Sequence, residues 1–106
     1  MSTQLKKGVL EMVVLSKIEV KDRYGYDIYQ SISLNMAISE STIYPILRKL
    51  TKDGLTETYL IESTEGPPRK YFRITSKGRN RLIDLRKDWD KFKRVVNKMI
   101  GSDRYE

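Results

Sequence analysis

The 106-residue sequence predicts a mainly α-helical fold that carries a two-stranded β wing and ends in a long helix. Three observations predict it. Apolar residues recur at helical spacing in three segments before residue 53. The period then changes to alternation on both sides of Gly66-Pro67-Pro68. From Leu82 to Met99 an apolar residue returns at intervals of 3, 4, 3, 4 and 3.

Each element has its own signature. In "LKKGVLEMVVLSK" (5–17), Leu5, Val9, Met12 and Leu15 lie on one helical stripe, widened by Leu10, Val13 and Val14. The polar "EVKDR" that follows reads as a loop. "YGYDIYQSISL" (24–34) reads as a second helix with Ile28, Ile32 and either Tyr24 or Tyr29 on its buried side, stopped at Asn35. The third helix starts at Ser39 or Ser41, since a serine oxygen can satisfy an orphan N–H of the first turn. Ile43, Ile46, Leu47 and Leu50 share one face of it, and "KDG" ends it with Gly54 in the left-handed position. Pro45 removes about one helical hydrogen bond just past the first turn counted from Ser41, so this helix is expected to be short and bent at its start.

"LTETYLIES" and "RKYFRIT" alternate as strands around a "TEGPP" turn. Phe72 and Ile74 are expected to face the core, with Tyr71 and Arg73 facing out. Ser76 to about Ile100 forms one helix whose heptad seam is Leu82, Leu85, Trp89, Phe92, Val96 and Met99. So short a seam is marginal alone and needs a body or a second subunit to pack on. "SDRYE" at the end is expected to fray. The organisation expected is a unit of three helices and the wing over 1–75 and a separate long helix over 76–106.

Composition narrows the function. There is no cysteine and no histidine, which removes thiolate nucleophiles, Cys/His zinc sites, Ser-His-Asp triads and disulfides. No phosphate-binding glycine loop occurs, and the acids show no convergent pair. No enzyme, cofactor or metal site is therefore expected. "VLEMVVL" is interrupted by Glu11 and too short to span a membrane, and the N-terminus is polar, so no membrane association and a cytoplasmic location are expected. One domain suits this length, and a partner subunit would bury what a small chain cannot.

The net charge of +7 is unevenly spread. Residues 1–38 hold five cations and four acids, 39–81 hold nine and five, and 82–106 hold seven and five. Arg69 to Arg81 holds six cations and no acid. Such a cluster suits a polyanion, most simply nucleic acid, although a solvated basic face would look the same.

Three helices followed by a hairpin are the element order of a winged helix-turn-helix. A short amphipathic third helix can enter the major groove of double-stranded DNA. On its free face, Ser39, Ser41, Thr42 and Tyr44 can bond phosphates or base edges near the helix start, and Arg48 and Lys49 can reach phosphates or guanine edges. Arg69 and Lys70, just after the hairpin tip, can lie along the flanking backbone.

The sequence also resembles the PadR-like transcriptional regulators, through "YGYDIYQSI" (24–32), "ISESTIYPILRKLTKDGLTE" (38–57) and "EGPPRKYFRITSKGRNRL" (65–82), nearly half the chain. The resemblance accounts for Pro45, which the family tolerates in its recognition helix. It implies a homodimeric repressor that dimerises through the last helix. The single C-terminal helix is similar to the compact branch of the family, some of whose members bind flat aromatic drugs between tryptophans at the dimer interface. Trp89 matches such a tryptophan by position, which implies a small aromatic ligand there. As an ordinary interface anchor Trp89 would need no ligand. Asp88 and Asp90 beside it can attract a cationic ligand or pair with Lys91, Lys93 or Arg94. The expected product is a DNA-binding homodimeric repressor acting on an inverted repeat. The alternative is a winged-helix protein-interaction module with only non-specific DNA affinity.

Overall fold

The computed structural model describes the backbone of residues 3–101 and the side chains of residues 9–101. Leu5 of the expected first stripe and the expected fraying after Gly101 lie outside the described side chains and residues. The elements are α1 (Thr3–Val20), β1 (Arg23–Tyr24), α2 (Gly25–Ser33), α3 (Glu40–Lys52), β2 (Thr56–Ser63), β3 (Gly66–Ile74) and α4 (Ser76–Ile100).

One core joins all four helices and the wing. α1 contributes Leu10, Val14, Leu15 and Ile18; α2 contributes Ile28 and Ile32; α3 contributes Ile43, Leu47 and Leu50. Leu55, Phe72, Ile74 and Leu82 close it. Burying each such side chain contributes about 1.5–3 kcal/mol. On α1 the buried residues are Leu10, Val14, Leu15 and Ile18, so Leu15 of the expected stripe is in the core while Val9, Met12 and Val13 are only half-buried. The expected stripe was rotated because the broad apolar run admitted two neighbouring faces. Ile46 likewise packs at the margin of the core.

Helix α1 runs on through Glu19 and Val20, where a loop was expected, and Arg23–Tyr24 forms a third strand. Glu19 can stay helical because its carboxylate meets Arg86 of α4 at 3.0 Å. The sheet order is β1-β3-β2, all antiparallel, with Tyr24 opposite Tyr71 and Tyr71 opposite Tyr59. The hairpin tip is Thr64–Glu65, earlier than the Gly-Pro-Pro triplet. The register shifts between Ile61↔Arg69 and Ser63↔Gly66, so Pro67 and Pro68 sit together at a bulge. A bulge spares the ladder hydrogen bonds that proline cannot donate.

Gly54 ends α3 at φ 76°, as the sequence led us to expect. Ser39 is the N-cap residue of α3. Pro45 therefore falls in the second turn of a 13-residue helix. Thr75 caps α4, its Oγ1 accepting from Gly78 N–H at 3.0 Å and donating to Gly54 O at 2.7 Å.

The two ends of α4 differ. Its first turns join the body: Leu82 is 0% exposed, Arg81 reaches Glu11 at 3.4 Å, and Arg86 reaches Glu19. Leu82 thus belongs to the core of its own chain, which corrects its placement on a dimer seam. A heptad spacing cannot separate an intramolecular contact from an intermolecular one. Leu85 packs at the core margin, and beyond it Trp89, Phe92, Val95, Met99 and Ile100 form an exposed apolar strip.

Candidate nucleic-acid interface

The free face of α3 begins with a cluster of hydroxyls. Ser39 Oγ lies 2.8 Å from Ser41 Oγ and 3.3 Å from Thr42 Oγ1. The Ser39 side chain caps no backbone N–H. These three groups instead bond one another, and each is able to rotate toward an outside acceptor.

Tyr44 stands one turn along, half-buried over the start of α2. A Cβ added at Gly25 would lie 2.7 Å from Tyr44 Cε1, so the missing side chain at Gly25 is what lets the ring settle there. Burial and the neighbouring Glu40 carboxylate push the Tyr44 phenol above its ordinary value. It remains protonated at neutral pH and able to donate.

Arg48 points into a cleft of about 330 Å³ between α3, the start of α2 and the wing. Tyr24, Tyr26, Tyr44, Arg69 and Lys70 line the same cleft. The third helix and the wing thus present cations to a shared space. Lys49 departs from this group. It borders a second cleft, between α1 and α3, and its Nζ lies 3.8 Å from Glu11 Oε2. Its side chain is 67% exposed, so this contact is loose.

The run of six cations divides in the same way. Arg73 pairs with Asp22 at 3.3 Å and with Glu57 at 3.5 Å, Arg81 pairs with Glu11, and Lys77 donates to Asp53 O at 2.8 Å. Among the described residues no ion pair engages Arg48, Arg69 or Lys70. Half of the basic run is used to fasten the fold, and its first two members stay available. Sequence reasoning missed Tyr24 and Tyr26 as cleft residues. The available signal was "RYGY", two tyrosines flanking the one residue type that lets α3 approach.

The described residues hold no cluster of acids fit for a metal, and no helix among them is long and apolar enough to cross a membrane. On α4, the Trp89 and Phe92 rings stand 6.4 Å apart on the exposed strip, and Asp90 pairs with Arg94 at 3.1 Å.

Comparison with known proteins agrees with this architecture. The family model of the transcriptional regulator PadR-like family matches residues 14–84. An uncharacterized protein from Lysinibacillus sphaericus is 38% identical over 95 residues, covering 86% of this chain and 87% of the relative. The crystal structure of a PadR-like transcriptional regulator from Bacillus cereus is 35% identical with a TM-score of 0.82, over 92% of this chain and 97% of that one. A PadR family transcription regulator from Clostridium difficile is 28% identical with a TM-score of 0.80, over 88% of this chain and 99% of that one. With its winged helix, its wing and its long last helix, this chain belongs to the PadR-like family of transcriptional regulators, and is a regulator rather than an enzyme.

Proposed function

We propose that this regulator is a homodimeric repressor that binds an inverted repeat in double-stranded DNA. The observation that supports this reading best is the cleft in which Arg48 of α3 and Arg69 and Lys70 of the wing converge with no carboxylate partner among the described residues. Helix α3 enters the major groove, with Ser39, Ser41, Thr42 and Tyr44 donating near its start and Arg48 and Lys49 further along. Arg69 and Lys70 neutralise flanking phosphates.

The apolar side of α4 from Leu85 to Met99, with Trp89, Phe92 and Met99 exposed and Leu85 and Val96 half-buried at its edge, pairs with the same side of a second copy. Two α3 helices then meet successive major grooves roughly 34 Å apart along the duplex. A small aromatic effector stacks on Trp89 within that interface and shifts the spacing of the two helices, releasing DNA. Footprinting on the upstream DNA of its own operon tests the reading. Two protected half-sites related by a dyad, one helical turn apart, are expected; a single unsymmetrical footprint contradicts it.

A further inference from the structure

Three tyrosines from three strands share one rung of the sheet: Tyr24 on β1, Tyr71 on β3 and Tyr59 on β2. Their rings follow one another at 5.6 Å and 5.7 Å, the second pair stacked at 21°. Arg69 and Arg73 lie two residues either side of Tyr71, on the same sheet face, because side chains alternate along a strand. Arg69 places its guanidinium 4.8 Å from the Tyr24 ring centre, and Arg73 places its own 4.6 Å from that of Tyr59. The ladder is therefore capped by a cation at each end.

The two caps are not equivalent. Asp22 accepts from both Tyr59 and Arg73, and Glu57 takes the other side of Arg73. That end is charge-neutralised and anchored to the segment before β1. At the other end Arg69 has an aromatic face beneath it and, among the described residues, no acid beside it. Ring stacking leaves the in-plane N–H fork of a guanidinium unspent.

We propose that Tyr24 is a positioning residue for DNA binding: through the tyrosine ladder it holds the Arg69 guanidinium over its ring in the lining of the cleft, with donors left for a phosphate, while Arg73 at the ladder's far end serves the fold alone. This rests on the DNA-binding reading above. Fixing Arg69 before binding removes part of the ordering cost that a free arginine would meet on contact. The ladder also ties the angle of the wing to β1 and so to the start of α2, the segment on which Tyr44 of α3 rests.

A double-mutant cycle tests the idea, using the full chain and duplex DNA. Tyr24→Leu is expected to weaken binding about two- to fivefold, the range of an exposed cation–π contact. Tyr24→Phe keeps the ring and is expected to bind like the parent. In an Arg69→Ala background, Tyr24→Leu is expected to cost nothing further. Equal loss with and without Arg69, or loss in Tyr24→Phe, overturns the proposal. Melting curves of each variant identify a loss caused by misfolding, and the Tyr24→Phe result decides the matter if Tyr24→Leu fails to fold. The cycle can be run on any duplex the protein binds. Equal affinity for operator and scrambled DNA therefore defeats the repressor reading without touching this one, and failure to bind any duplex defeats both.

Discussion

The phenol of Tyr59 donates a 2.5 Å hydrogen bond to Asp22 Oδ2 across 37 residues of chain. That bond, ahead of burial, holds the Tyr59 phenol above its ordinary value of about 10. Tyr44 is raised as well, by burial first and Glu40 second. Both groups keep their protons in the folded state at pH values where the unfolded chain has lost them. Their contribution is fully present below about pH 10 and is lost as pH rises through the raised folded values. Thermal melts from pH 8 to 11 should show an alkaline fall in stability. Tyr59→Phe should make that fall shallower, and an unchanged slope would remove Tyr59 from the explanation.

The seat of Tyr44 on Gly25 gives a second expectation. Gly25→Ala forces a methyl group to 2.7 Å from Tyr44 Cε1. Overpacking of this kind costs about 1–3 kcal/mol. Since the conflict is with one ring, most of the cost should vanish in a Tyr44→Ala background, which denaturant titration of the four proteins measures.

Charge removal should separate residues that a composition count treats alike. Arg48→Ala and Arg69→Ala should both weaken DNA binding, and Arg69→Ala should reduce the slope of log affinity against log salt by about one unit. Lys49→Ala should do less than Arg48→Ala, because Glu11 already attends Lys49. Glu11→Gln should release Lys49, together with Arg81, and tighten binding by up to about fivefold, the upper range for an exposed ion pair. Binding isotherms at several salt concentrations decide each case, and weaker binding by Glu11→Gln would reverse the role given to Lys49.

Along α4, two apolar residues ten positions apart should behave oppositely. Leu82 is fully buried in its own chain, so Leu82→Ala should cost about 2–5 kcal/mol of folding stability. Phe92 is 57% exposed, so Phe92→Asp should leave the winged domain folded while blocking association of two copies. Sedimentation velocity and melting curves on both variants provide the comparison. A Phe92→Asp protein that remains dimeric would move the interface elsewhere.

The elements with strong local periodicity were legible before the structure. Both boundaries of α4 agree with the reading from the heptads and Ser76, and the hairpin agrees with the change of period at Leu55. β1 was not legible, because two residues cannot show alternation and Arg23–Tyr24 is a strand only through its pairing with β3. The rotation of the α1 core face and the reassignment of Leu82 have a related cause: a stripe shows which residues seek burial and not what they bury against. In the candidate site, the identity of the cations on α3 and the wing could be read directly. Their division into paired and available members could not, since Arg73 and Arg81 find Asp22 and Glu11 only in the folded chain. Tyr24 escaped notice as a cleft residue for the same reason.

The most direct test is binding of the purified protein to its own upstream DNA and to a scrambled duplex of equal length, at two salt concentrations. We expect tight binding to the upstream DNA alone, retained at the higher salt, with two protein copies per site. Equal and salt-sensitive binding to both duplexes would contradict a specific dimeric repressor and reduce the cleft to a basic surface suited to an acidic protein partner.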